Sequence, residues 1–404
     1  MLKKNSSRKI IILLMLILLF VSCSKDKNTQ GYLNKVLRKL DKIESAIYIT
    51  KSEGWAPWDT TAYGIYHHFV KEYSNPDDTA IGASFVKLCK DDTTRLSFCY
   101  DGVMRATVYD ENKTIVIDSF NVRKLPFRPI NAPFFNYTKS ILKYALQTND
   151  SVKLEIEELN KDIHVTLTIF EDKQVEFFGK AFYMPSTDYN YGETISKYEI
   201  WINKSNDLPY KVRREMSHDI SVRTCYNVVL NKAQLKDFNA ADYFQPDYEI
   251  VRYGFGKPDD TKNNLIGEKA PDWILKNAEG RTVALSELKS KVIMIQFTSV
   301  SCGPCRASIP FLKQLCSEYS LQDFNLVAIE GFNHNSEVLL HYKQINKFDY
   351  EFLVSNNELT NIYNVTAVPV FFILDKNHII KKIIRGYSLG ITDREVKDII
   401  NTMI

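Results

Sequence analysis

The apolar run Lys291–Phe297 (KVIMIQF) leads through Thr298-Ser299-Val300-Ser301 into Cys302-Gly303-Pro304-Cys305. A second apolar pattern follows at Ala307, Ile309, Phe311, Leu312, Leu315 and Cys316. The first run reads as a buried strand and the second as a helix, so two cysteines stand at a strand-to-helix junction. That junction commits this part of the chain to an α/β arrangement. Cys302 opens the helix, where unpaired N–H groups and the helix dipole stabilise a thiolate. Pro304 falls in the first turn, where its missing N–H is harmless. Cys305, one turn on, points back at the same sulfur and can close a disulfide ring. Zinc would require two further ligands. Cys316 and His334 are nearest, and neither makes a metal-like spacing. A redox pair is favoured over a metal site, and a metal site over two coincident core thiols. No metal and no cofactor is expected.

The N-terminus gives an address. Lys3, Lys4, Arg8 and Lys9 precede an uninterrupted apolar run from Ile10 to Val21. Such a run is short for a bilayer span and reads as an export signal. It ends in Phe20-Val21-Ser22-Cys23, which resembles a bacterial lipobox, with Phe20 where an aliphatic residue is usual. The resemblance implies cleavage after residue 22 and lipidation of Cys23. The chain is then expected in the cell envelope, anchored to a membrane (the outer membrane of a Gram-negative cell) and facing periplasm or exterior. Loss of residues 1–22 removes four basic side chains and leaves 48 against 49 acidic ones. A near-neutral mature chain gives no support to nucleic-acid binding.

Residues 23–30 read as a polar tether. Leu33, Val36, Leu37, Leu40 and Ile43 recur at helical spacing and predict a helix over 32–46. Alternating, aromatic and β-branched segments follow, cut by turn signals. Leu96–Tyr100, Val103–Tyr109, Thr114–Asp118, Ile163–Phe170, Tyr198–Asn203, Tyr210–Met216 and Ser221–Leu230 read as antiparallel strands, and Phe134–Gln147 as a helix. The stretch YEIWINKSNDLPYKVR (198–213), a strand, a polar turn and a Leu-Pro opening the next strand, resembles the lipoprotein-carrier (LolA-like) fold. That resemblance implies an α+β domain over 31–253, with a curved, mainly antiparallel sheet able to hold an apolar ligand. Aromatics that simply fill a sheet core give the same pattern. Gly254–Asn264, polar and rich in glycine and charge, marks a linker over 254–265.

Beyond it, strands at Lys291–Phe297, Asn325–Glu330 and Glu351–Val354 alternate with helices at Val338–Asn346 and Leu359–Tyr363. A hairpin of Val370–Leu374 with Ile379–Arg385 and a helix at Asp393–Met403 complete a mixed sheet. IGEKAPDWILKNAEGRTVALSELKSKVIMIQF (266–297), the CGPC and NVTAVPVFFILDKNHIIKKIIRGY (364–387) resemble the TlpA/ResA type of envelope thiol–disulfide oxidoreductase. The resemblance implies a thioredoxin-like domain over 266–404. In it Val368-Pro369 occupies the cis-proline loop beside Gly303 and Pro304, and the Val368 backbone pairs with an extended substrate peptide. It implies that Cys302 attacks a disulfide-containing protein substrate, that Cys305 resolves the mixed disulfide, and that a membrane electron donor restores the dithiol. The direction implied is reduction.

Several positions depart from that family. Ser301 and Thr298 stand where it has aromatics, Gln296 where thioredoxin has a buried acid, and Ser308 where some members carry an acid. A base for Cys305 must then come from elsewhere. Glu330 ends a strand expected to run parallel to Lys291–Phe297, so both carboxyl ends reach one sheet edge. Glu330 is therefore the candidate base, with a raised pKa if desolvated; a solvated loop-edge carboxylate is the alternative.

Cys316 reads as packing, Cys225 has no evident partner, and a Cys89–Cys99 bridge is not favoured by a symmetric loop. His67 and His68 face opposite ways in one strand. Trp55-Ala56-Pro57-Trp58 reads as an aromatic turn. Two other functions compete. One is a binding protein carrying a lipid or hydrophobic peptide in its N-terminal domain. The other is a peroxiredoxin-like peroxidase, whose PxxxTxxC pattern has Ile295 at the proline position here.

Overall fold

A computed structural model describes residues 29–404 except 56–59, 61, 111–112, 121–129, 185–193, 195, 218, 254–264, 333–335 and 356. The export signal, Cys23, nearly all of the linker, His334 and most of the Trp55–Trp58 turn lie outside the described residues.

Period-two alternation builds the N-terminal sheet. Asp162–Ile169 buries Ile163, Val165, Leu167 and Ile169, and Ser196–Asn203 buries Tyr198, Ile200 and Ile202 on the same face. Twelve strands join in one sheet, antiparallel except where Glu249–Arg252 runs parallel to Thr114–Asp118. Strand Ser45–Trp55 lies at the centre, between Gly64–Ser74 and Ile220–Leu230. Two helices, 29–40 and Phe134–Gln147, cover the buried face, with Leu33, Val36, Leu40, Phe134, Ile141 and Leu142 against residues from both halves of the sheet. The sheet thus bends round its helices.

The first helix corrects its expected bounds of 32–46. Among the described residues it already runs at 29, inside the expected tether, and it stops at 40. The Asn231 side-chain oxygen then accepts the N–H groups of Glu44 and Ser45 and starts the central strand. Ile43, which continued the helical spacing, packs as the chain turns. The strands Ser45–Trp55 and Val152–Glu158 were not legible as such; the latter carries alternating charge and lies at the sheet edge. Cys89 and Cys99 are free: a bulge puts Leu96 opposite Leu88 and Cys99 opposite Val86.

The C-terminal sheet has seven strands. Val292–Thr298, fully buried, pairs in parallel with Phe324–Glu330, which pairs in parallel with Glu351–Val354. On its other side it meets Val370–Asp375 antiparallel, followed by Ile380–Arg385. Helices Gly303–Glu318, Ser336–Asn346 and Ile391–Met403 contribute Leu312, Leu315, Leu339, Val396 and Ile400 to one core. Trp273, Leu285, Phe297, Tyr363 and Phe372 form another. The central strand, buried on both faces, therefore ends at the CGPC with little freedom to move.

Candidate functional site

Cys302 caps the helix Gly303–Glu318 in an extended backbone conformation, and its sulfur accepts the Cys305 N–H at 3.1 Å. This is the anion-stabilising position that a helix N-terminus offers a thiolate. Cys302 and Cys305 form a disulfide, with Cα atoms 5.2 Å apart. Their exposure differs: Cys302 is half-buried and Cys305 is 1% exposed. An incoming disulfide can reach only the first sulfur directly.

The Val368–Pro369 peptide bond is cis, and the Val368 carbonyl oxygen lies 3.6 Å from the Cys302 sulfur. When the pair is reduced, the Cys302 thiol can donate to this oxygen. Val368 is half-buried and Pro369 buried, which leaves the Val368 backbone beside the accessible sulfur. Gly303 and Pro304 occupy the first turn, both half-buried.

The neutral positions behind the pair form a small polar chain. Gln296, 2% exposed, donates through Nε2 to the Ser308 hydroxyl at 3.0 Å, and Ser308 donates to the Cys305 carbonyl at 2.7 Å. Both side chains thus brace the helix turn that carries Cys305.

Glu330 reaches the expected edge, in register with Thr298. It is 0% exposed rather than solvated. One carboxylate oxygen accepts the Val300 N–H at 2.8 Å and the other accepts the Phe332 N–H at 2.9 Å. Glu330 therefore ties its own strand end to the loop that presents Cys302. Arg306, directly after Cys305, is also buried. Burial drives the Tyr342 hydroxyl well above its ordinary pKa, with the Arg306 charge opposing the shift and the Glu330 charge adding to it. Both charges therefore sit within electrostatic reach of one buried phenol. Sequence reasoning missed Arg306, although a charged residue among the apolar positions of this helix was its visible signal.

Other thiols stand apart from the pair. Burial pushes Cys99 and Cys316 up to about 12, and raises Cys225 as well. Among the described residues there is no group of three or more His, Cys, Asp or Glu able to hold a metal ion. His67 and His68 are held by different neighbours, near Tyr226 and Ser97 respectively.

Residues 266–383 match the AhpC/TSA family. The thiol–disulfide oxidoreductase ResA of Oceanobacillus iheyensis is 30% identical over 135 residues, covering 32% of this chain and 69% of that protein. The ResA of Geobacillus thermodenitrificans is 30% identical over 124 residues, covering 30% of this chain and 70% of that protein. Among solved structures, a thioredoxin-family thiol:disulfide interchange protein from Chlorobium tepidum aligns at 24% identity and a TM-score of 0.30. That alignment covers 33% of this chain and 95% of its own.

Proposed function

Through its C-terminal region this chain belongs to the ResA-type thiol–disulfide oxidoreductases, and from that premise we propose a lipid-anchored envelope reductase of protein disulfides. The observation that carries the reading is the asymmetry of the pair: an accessible sulfur at a helix N-terminus bonded to a buried one. The Cys302 thiolate attacks a substrate disulfide and expels one substrate sulfur as a thiolate, which takes a proton. The Cys305 thiolate then attacks the Cys302 sulfur and releases the second substrate sulfur. Two electrons pass to the substrate and the Cys302–Cys305 disulfide remains. A membrane electron donor returns the pair to the dithiol. The Val368 backbone, with Pro369, Gly303 and Pro304, is assigned to holding the substrate segment.

Cys302→Ala is expected to abolish dithiol-dependent reduction of a model disulfide; retained reduction would sink the proposal. Cys305→Ala should stall as mixed disulfides in envelope extracts, identifying the substrates. Lipidation at Cys23 is tested by fractionation: Cys23→Ala should release the chain from the membrane fraction. The division into a domain over 31–253, a linker over 254–265 and a redox domain over 266–404 is part of the same proposal. It is supported by the two separate sheets on either side of the linker. Peroxide consumption by the reduced protein, with no disulfide reduction, would favour the peroxidase reading instead.

A further inference from the structure

On the helix-covered side of the N-terminal sheet lies a cavity of about 320 Å³, lined in part by Lys87, Arg214, Arg223, His68, Tyr137 and Glu176. An acyl chain would require apolar walls, and these are charged. Their charges are unevenly paired. Arg214 is paired with Glu176 at 3.2 Å and with Asp219. Glu53, also at the cavity, is paired with Lys51 at 2.7 Å. Burial and the Lys87 charge keep His68 neutral, pushed down to about 4.

Lys87 and Arg223 are different. Neither has a carboxylate within ion-pair distance among the described residues. Lys87 lies 5.5 Å and 5.7 Å over the rings of Phe85 and Phe98. Arg223 donates to the Ala132 carbonyl at 2.9 Å and sits 3.9 Å over the Tyr137 ring. They come from strands Ala83–Cys89 and Ile220–Leu230, with two strands between them in the sheet, and enter one cavity from opposite sides. They are near enough to repel: burial first, and the Arg223 charge second, push Lys87 down to about 8. The Arg223 charge also reaches the buried Glu72 carboxylate, without a direct ion pair. Two half-buried cations that lack a direct ion pair and repel one another destabilise the empty fold. Such groups persist where a ligand completes them.

We propose that this cavity binds a small oxyanion-bearing molecule whose carboxylate or phosphoryl group is held between Lys87 and Arg223. Arg223 supplies a planar fork and Lys87 a point charge, the pair of donors suited to either group. Arg214, already neutralised, is assigned no share of the ligand charge.

The test is calorimetric titration of the full chain with inorganic phosphate and, separately, with succinate. Saturable binding of either probe is expected, and which one binds distinguishes a phosphoryl from a carboxylate ligand. Lys87→Met should weaken that binding by at least about tenfold, the loss of one charge-assisted hydrogen bond. The same variant should melt no lower than the parent without ligand, because it removes an uncompensated buried charge. Arg223→Met is the second arm for affinity. Absence of binding of both probes at about 10 mM, a concentration covering any Kd tighter than that, would overturn the proposal. So would binding that survives both substitutions.

Discussion

Glu330→Gln separates two jobs that one carboxylate can hold at this site. Each oxygen of Glu330 accepts one backbone N–H, from Val300 at 2.8 Å and from Phe332 at 2.9 Å, in a place without solvent. The amide keeps one carbonyl oxygen but turns an NH2 group toward the other N–H. A buried donor left facing a donor costs about 1–3 kcal/mol. Glu330→Ala removes both acceptors and opens a cavity, so its cost is about 3–5 kcal/mol. Urea unfolding of the two variants measures these losses.

The kinetic consequence follows from where the loop leads. Val300 stands two residues before Cys302, so a loosened loop misaims the attacking sulfur and the sulfur that Cys305 must later reach. Misplacement on the order of an ångström lowers both steps, by about tenfold or more. Stopped-flow measurement of attack on a model disulfide, and of release from the preformed mixed disulfide, resolves the two rates. The positioning role predicts that both fall together and that stability falls with them. Release slowed alone, with the first attack and the unfolding midpoint unchanged, would refute it. That result would establish the base role expected from the strand register.

Other outcomes follow from the same structure. Gln296→Glu places an acid behind Cys305, where burial raises its pKa above the ordinary 4.3 or so. The pH profile of release should gain an inflection that the parent lacks. Alkylation of the reduced native chain at pH 8, read by peptide mass mapping, should modify Cys302 well before Cys99 and Cys316, whose thiols burial holds near 12. Lys87 binds its proton less tightly folded than unfolded, about 8 against 10.5. Between those values the unfolded chain holds more of this proton, so the Lys87 contribution to stability rises with pH there, opposite in sign to that of Cys99 and Cys316, whose raised thiols keep their protons in the folded chain. The titratable and charged groups that line the cavity with Lys87 are His68, Glu53, Tyr66, Tyr137, Glu176, Arg214 and Arg223. Of these His68, depressed to about 4, has lost its proton before that window opens. The stability of the parent relative to Lys87→Met, read by urea unfolding at each pH, should therefore rise across that window.

The redox half of the chain was legible because its signals are local. A continuous apolar strand, two cysteines around Gly-Pro and a helical pattern are adjacent in sequence, and the observed strand Val292–Thr298 and helix Gly303–Glu318 fall there. Phe134–Gln147, Thr114–Asp118 and Glu351–Val354 carry the bounds their patterns imply. The first helix was misread because Ile43 fits helical spacing while a distant side chain, Asn231, decides where the helix gives way to strand. Spacing cannot report a partner that far along the chain.

Polar residues were the harder part, for a related reason. An apolar residue announces its burial by its type, whereas a charged one is buried only by what the fold brings to it. Glu330 could be placed at the sheet edge from strand direction, but the two N–H groups that claim its oxygens come from turns that no periodicity describes. Nothing in the sequence singles out Lys87 or Arg223. Strand register, through Val70 and Tyr48 on one side and Ser52 on the other, puts both on one face of the twelve-stranded sheet, where they line one cavity. On that face Arg214 is paired with Glu176 and Asp219, while Lys87 and Arg223 have no direct ion pair among the described residues. Charge imbalance inside a fold is thus a property of topology. In this protein it falls in the sheet-rich half, while the sulfur chemistry stands in a C-terminal sheet whose own buried charges, Glu330 and Arg306, lie behind the pair.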